Sequence, residues 1–423
     1  METPFDIVLF GATSFVGKIL TRRMAERHGF GHGDDGQGAQ GQQPVRWAIA
    51  GRSKAKLDRL KDELGPAAVN LPMVIADASD EDSLTAMCEQ TRVVVSTVGP
   101  YALHGEPLVR ACVETGTDYC DLTGEVQWIR RMIQLYEERA KITGARIVHC
   151  CGFDSIPSDM GVWFLQQEAI SRFGQPCQRV KMRVKAAKGG LSGGTVASLM
   201  NVIREAASNK ALRKELANPF SLCPPDHRSV TRQPNVKAAE FDQDLECWVA
   251  PFLMAAINTR VVHRSNALLD ARYGTEFQYD EAMMTGRGLK GRGRALAVAG
   301  AMGGFALATA IKPTRWALER FVLPESGEGP DQTAQQKGFY DLRFIGTTEG
   351  GESLTVKVTG QGDPGYGSTS RMLAQAAECL AFDVAEDVAG GFWTPSSLMD
   401  GDLLKRLQAN AKVTFEVLAA STA

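Results

Sequence analysis

Phe5-Asp6-Ile7-Val8-Leu9-Phe10-Gly11-Ala12-Thr13-Ser14-Phe15-Val16-Gly17 is the stretch that decides the fold. Asp6 to Phe10 is a short apolar run ending at a glycine, the pattern of a strand covered on both faces. Val16 to Arg27 then has helical spacing. A strand, a glycine turn and a helix in succession open a dinucleotide-binding α/β unit: Gly11 permits the tight turn, and N–H groups at the helix start face a pyrophosphate, helped by the helix dipole. The spacing is G-x-x-x-x-x-G and resembles G-x-x-G-x-x-G with Ser14 in the middle glycine place. An ordinary strand-to-helix turn looks the same, and the next strand separates the two readings.

That strand, Val45 to Ala50, is followed by Gly51-Arg52-Ser53, with Lys56 just beyond. An acidic residue there would suit the ribose 2′-hydroxyl of NAD; an arginine suits a 2′-phosphate. Arg52 offers a planar fork, Ser53 a hydroxyl and Lys56 a point charge, so NADP is expected rather than NAD. Further strands are expected at Met73–Ala76, Val93–Val98, around Tyr119 and at Ala145–Cys150, with helices between them. Strand and helix in alternation predict a parallel sheet with helices on both faces. Asp77 ends the third strand, where adenine contact and helix capping both remain open. The fourth ends Thr97-Val98-Gly99-Pro100-Tyr101 beside the ligand crevice of such a sheet, where Gly99-Pro100 makes a turn close to a nicotinamide ribose. The expected cofactor set is thus Gly11, Thr13, Ser14, Phe15, Val16, Gly17, Arg52, Ser53, Lys56, Asp77, Thr97, Val98, Gly99 and Pro100.

The whole chain has 423 residues, 47 Lys+Arg and 49 Asp+Glu, for a formal net charge of -2. This balance argues against a nucleic-acid binder and against global disorder. Nine cysteines without a CxxC pair give no zinc spacing and no disulfide framework, so no metal and a reducing cytoplasm are expected. The first residues lack the basic region of a signal peptide. Residues 29–44, rich in Gly and Gln, read as a flexible insertion. After about residue 175 the texture changes: alternating strands at 179–186, 339–347 and 353–359 indicate a second α+β domain with an antiparallel sheet. The expected division is 1–175, a Rossmann-type doubly wound domain; 176–365, an α+β substrate domain; and 366–423, a helical segment packing back on the core.

Two polar clusters close the same sheet edge, Thr117 to Glu125 and Cys151 to Asp159. Tyr101 is the first candidate for proton delivery, with Asp121 and Asp154 as orienting groups. Capping is the competing role, and the favoured one, for Asp154, Ser155 and Ser158. No Tyr-x-x-x-Lys pair occurs, which weighs against a short-chain dehydrogenase. Cys150 and Cys151 read as buried, inert thiols.

Together FDIVLFGATSFVG (5–17), AGRS (50–53), ADAS (76–79), TVGPY (97–101), GTDYCDLTGE (116–125) and CGFDSIPSD (151–159), with SGGTVA (192–197) and PFLMAAINTRVVHRSN (251–266), resemble the saccharopine dehydrogenase-like oxidoreductases. The likeness is greatest to their bacterial trans-acting enoyl reductase branch and covers nearly the whole chain. The resemblance implies an N-terminal NADP-binding domain, a second α+β domain over the nicotinamide face, and reduction of a double bond in a polyketide- or fatty-acyl-derived lipid chain supplied by a synthase. Saccharopine-type amino-acid dehydrogenation and a non-catalytic, lipid- or membrane-associated Rossmann protein are the alternatives. Ser14 departs from the family's usual glycine, which is expected to loosen the dinucleotide turn.

Ala295 to Ile311 (ALAVAGAMGGFALATAI) is apolar, with basic residues on both flanks. At seventeen residues it is at the lower limit of a membrane span. A buried or interfacial helix is the first expectation and peripheral contact with the inner face of the plasma membrane the second; an oligomer is left open.

Overall fold

The computed structural model describes residues 3–30, 45–153, 155–189, 193–311, 313–316 and 337–421. The opening stretch forms β1 (Phe5–Phe10) and α1 (Phe15–His28). There follow β2 (Trp47–Gly51), α2 (Lys54–Leu64), β3 (Met73–Ile75), α3 (Glu81–Cys88), β4 (Thr91–Ser96), α4 (Tyr101–His104), α5 (Glu106–Thr115), β5 (Asp118–Asp121), α6 (Val126–Thr143) and β6 (Arg146–Val148). These strands make a parallel sheet in the order 6-5-4-1-2-3. Every residue of β1 and β2 is buried, which is why their sequences are continuous rather than alternating. The order reverses between β1 and β4, which opens the ligand crevice at the carboxyl ends of those two strands.

The helix α7 (Ile156–Phe173) leaves the end of β6 and packs on a second sheet. Gly161 permits this close approach: a Cβ there would lie 2.4 Å from the Phe344 ring. The chain continues through β7 (Cys177–Lys188), α8 (Gly193–Ser208), α9 (Lys210–Ala217), β8 (Glu240–Asp242), β9 (Cys247–Pro251), α10 (Ala255–Leu268), β10 (Gln278–Gly286), α11 (Gly288–Ala310), β11 (Phe339–Thr348) and β12 (Ser353–Gln361). Then come α12 (Thr369–Phe382), β13 (Gly391–Trp393), α13 (Pro395–Asn410) and β14 (Val413–Ser421). The second sheet runs 14-12-11-7-10-9-8. It is antiparallel except for the β7–β10 pair. β11 and β12 alternate buried and partly exposed residues, as strands with one packed face do.

The C-terminal segment differs from its helical expectation. It holds α12 and α13, but it also adds β13 to the first sheet beside β6 and β14 to the second beside β12. Between α9 and α10 the chain holds the short strands β8 and β9. Of the Gly- and Gln-rich insertion, residues 31–44 lie outside the described residues.

Candidate active site

The turn after β1 is bolted to the end of β4. The Thr97 hydroxyl donates to the Gly11 carbonyl oxygen at 2.9 Å, and Ser14 Oγ lies 2.9 Å from Thr97 Oγ1. Ser14 is the N-cap of α1, accepting from the Gly17 N–H at 2.9 Å. With Gly17 capped, the first helical N–H groups, those of Phe15 and Val16, remain for an anion. Ser14 therefore does not loosen the turn; its hydroxyl ties the turn to the neighbouring strand. The two flanking glycines are required sterically. Gly11 has φ +84, and a Cβ on it would lie 2.6 Å from Val98 Cγ2. A Cβ on Gly17 would lie 2.2 Å from the Gly11 carbonyl oxygen. These are the two demands a dinucleotide turn makes, a positive φ and close helix–strand contact.

At the end of β2, Arg52 is exposed, and it has no carboxylate within ion-pair distance among the described residues. Ser53 caps α2 by accepting from the Lys56 N–H, which leaves its own O–H to donate outward. Lys56 is exposed on the first turn of α2. Asp77 is not the cap of α3; that role belongs to Asp80. Asp77 instead accepts from the Ser79 N–H and hydroxyl, and these bonds hold its carboxyl below the usual range. A cradle at Gly11 and Gly17 with the exposed Arg52 and Lys56 past β2 fits a phosphorylated dinucleotide.

On the other side of the crevice the loop Thr97–Pro100 runs into α4. Its position is fixed by a residue that sequence reasoning did not single out. Glu125, 1% exposed, accepts from the Tyr101 N–H at 2.8 Å, the Ala102 N–H at 3.1 Å and the Ser198 hydroxyl at 2.9 Å. A carboxylate on the first N–H groups of a helix is favourable for both hydrogen bonding and the dipole. Burial raises its pKa against these bonds. Ser198 belongs to α8, so Glu125 also links the loop to the second half of the chain.

Of the catalytic candidates, Tyr101 and Asp121 both lie inside the protein. Tyr101 is buried, and its hydroxyl donates to the Ser96 carbonyl oxygen at 3.0 Å. Burial, with Asp121 nearby, pushes its pKa well up, which opposes proton delivery. Asp121 is wholly buried and accepts from the Tyr119 hydroxyl, the Thr123 N–H, the Cys150 N–H and His149 Nδ1, the last at 2.7 Å. It holds His149 and the chain just past β6. Asp154 lies outside the described residues.

Ser155 and Ser158 do not cap α7 with their side chains. Ser155 Oγ donates to Asn258 Oδ1 at 3.1 Å, and Asn258 Nδ2 donates to Ser158 Oγ and to Glu281 Oε2. Tyr279 completes this buried chain by donating to Glu281 Oε1 at 2.7 Å. Cys150 and Cys151 are buried, and burial drives the Cys151 pKa well up.

The second half closes over the same edge. The Tyr366 ring meets Phe15 edge-on at 4.7 Å, and the Phe153 N–H donates to Thr369 Oγ1 at 2.9 Å.

The saccharopine dehydrogenase NADP binding domain matches residues 7–148, the span of the first sheet through β6. Over 96% of both chains, the sequence is 38% identical to a Mycobacterium tuberculosis protein provisionally named a trans-acting enoyl reductase. The chain belongs to the trans-acting enoyl reductase family. Members named trans-acting enoyl reductase from Mycobacterium bovis and Mycobacterium ulcerans are each 36% identical, again over 96% of both chains. Apo saccharopine dehydrogenase (L-Glu forming) from Saccharomyces cerevisiae shares the fold, with a TM-score of 0.52 at 11% identity, covering 98% of this chain and 100% of that one. The protein is thus an NADP-dependent oxidoreductase of saccharopine dehydrogenase-like fold.

Proposed function

We propose that this family member reduces an enoyl group on a hydrophobic polyketide- or fatty-acyl-derived chain, thioester-bound to a synthase, in lipid or glycolipid assembly. Bound NADPH would supply the hydride for the β-carbon, and a proton would go to the α-carbon. The observation that carries the reading is full-length similarity to named enoyl reductases joined to a complete dinucleotide turn. The chain's own work is positional. Gly11, Thr13, Ser14, Phe15, Val16 and Gly17 hold the pyrophosphate; Arg52, Ser53 and Lys56 hold the 2′-phosphate; Asp77 flanks the adenine. Thr97, Val98, Gly99 and Pro100 form the platform for the nicotinamide, held rigid through Glu125. Tyr101 and Asp121 act as positioning residues that fix the ends of β4, β5 and β6. Residues 1–175 carry the cofactor and 176–365 the substrate, with 366–423 packed across both. We place the chemistry at the inner face of the plasma membrane, on a peripheral protein.

Amino-acid dehydrogenation is less well supported. It calls for arginines to hold substrate carboxylates, and the buried arginines are already engaged: Arg183 with Asp242 and Asp280, Arg264 with Glu137, and Arg260 with the Ala256 and Leu216 carbonyl oxygens.

NADPH oxidation with a 2-enoyl thioester is the test, with saccharopine in parallel. Turnover of the enoyl substrate alone is expected; absence of turnover with NADPH binding intact overturns the assignment. For the cofactor, Arg52→Glu should weaken NADPH roughly 100-fold and NADH less than about threefold, since a charge-assisted pair contributes about 1.5–3 kcal/mol. Equal losses in the two titrations would remove Arg52 from the phosphate site.

A further inference from the structure

From Ala295 to Ala308, α11 carries no polar or charged side chain. A helix that is apolar on every side is ordinarily buried. This one is covered along a single stripe through Val298, Met302, Phe305 and Thr309, and its other face is exposed at Leu296, Gly300, Gly304 and Leu307. A Cβ added at Gly300 or Gly304 would meet nothing within 4 Å. The apolar exposure extends to Leu289 in the first turn of the helix, 85% exposed, and to Trp316 beyond its end, 63% exposed.

The start of the same helix is basic. Arg287, Lys290, Arg292 and Arg294 are all exposed, and its first turn holds no acidic residue. Cations at the positive end of a helix are electrostatically disfavoured. Arg287 pairs with Glu246 at 3.2 Å, and Arg292 lies 5.4 Å from the centre of the Trp248 ring. Lys290 and Arg294 have no carboxylate partner among the described residues. An anionic surface would answer both the charge and the apolar face.

We propose that α11 docks the protein on an anionic lipid bilayer. Its Leu296–Leu307 face enters the boundary between headgroups and acyl chains, and Arg287, Lys290, Arg292 and Arg294 meet lipid phosphates. No helix among the described residues is long and apolar enough to cross a membrane, so α11 lies on the surface. A second copy of the chain fits less well. A parallel pair would stack the four cations on one another, and an antiparallel pair would set them against Arg315. The inference rests on the peripheral placement proposed above and is independent of the enoyl chemistry.

The test is flotation of the full chain with phosphatidylglycerol–phosphatidylcholine vesicles and with phosphatidylcholine alone. At least tenfold preference for the anionic vesicles is expected, weakened by 0.5 M salt because surface charges are screened. A Leu296→Glu/Leu307→Glu chain should lose at least tenfold of the binding while keeping NADPH affinity, which reports its folding. If the unaltered chain does not float, docking and peripheral placement both fall, and NADPH oxidation is unaffected. If the double variant floats as well as the parent, the placement stands and α11 is overturned. If light scattering shows a dimer that the double variant breaks, with no flotation, α11 is a contact between copies and the proposal falls.

Discussion

Gly17→Ala is expected to remove measurable NADPH binding, with a dissociation constant raised at least about 100-fold, or roughly 2.7 kcal/mol. The added methyl would lie 2.2 Å from the Gly11 carbonyl oxygen and 2.9 Å from the Ala12 Cα and carbonyl carbon. All three are backbone atoms, so no rotamer change relieves the contact, and α1 must move away from β1. That movement breaks the Ser14–Gly17 cap and turns the Phe15 and Val16 N–H groups away from the pyrophosphate position. Overpacking of this kind also costs about 1–3 kcal/mol of stability. Gly29→Ala is the control. Gly29 lies at the other end of α1 with φ +69 and ψ -158, a region open essentially to glycine, and with open space around it, so its alanine variant costs about 1–3 kcal/mol of stability through backbone strain alone. NADPH affinity should be unchanged in that variant. Fluorescence titration of NADPH on both variants, with thermal melts alongside, separates the two effects. Similar affinities for the two variants would mean that the turn does not carry the cofactor.

The first sheet was legible because its signals are local. An apolar run, a glycine and a helical period lie within a dozen residues, and Arg52 sits one residue past β2. What escaped depends on partners far apart in the chain. Glu125 meets Tyr101 across 24 positions and Ser198 across 73, and no spacing rule connects them. Sequence places Tyr101 at the sheet edge, which makes it a candidate for proton delivery. Its direction, inward to Ser96, follows from packing against Trp128 at 5.4 Å. Ser155 and Ser158 stood where caps stand, yet Asn258 on α10 competes for both. β10 was missed for a related reason: Asp280 and Glu281 interrupt its apolar pattern, and both are buried only because Arg183 and Asn258 receive them. β13 has three residues, too few for a period of two to show. β14 is different. Val413, Phe415 and Val417 alternate with polar residues, a strand signal inside a segment whose overall expectation is helical.

Glu281→Gln should stabilise the protein at pH 8 relative to pH 5 by about 2–3 kcal/mol more than the parent chain. Glu281 is 2% exposed, and burial pushes its carboxyl up to about 7, against the hydrogen bonds from Tyr279, Ser158 and Asn258. The unfolded carboxyl titrates near 4.3. Between these two values the folded chain holds the proton and the unfolded chain does not, so unfolding releases a proton and rising pH favours it. The stability that the neutral acid contributes is therefore complete below the unfolded pKa and is lost as pH rises through about 7. Asp159, pushed by burial up to about 6, has the same sign over a lower window. Glutamine keeps the shape and an acceptor for Asn258 or Tyr279 but has no proton to lose, so its variant should lose the Glu281 part of the slope and keep what Asp159 and the other raised carboxyls, Glu125 among them, contribute. Urea denaturation of both chains at pH 5 and pH 8 measures the difference. Parallel pH dependence in the two chains would show that Glu281 is already ionised in the folded protein at pH 5. The buried chain from Ser155 to Tyr279 would then be a network built around a carboxylate anion.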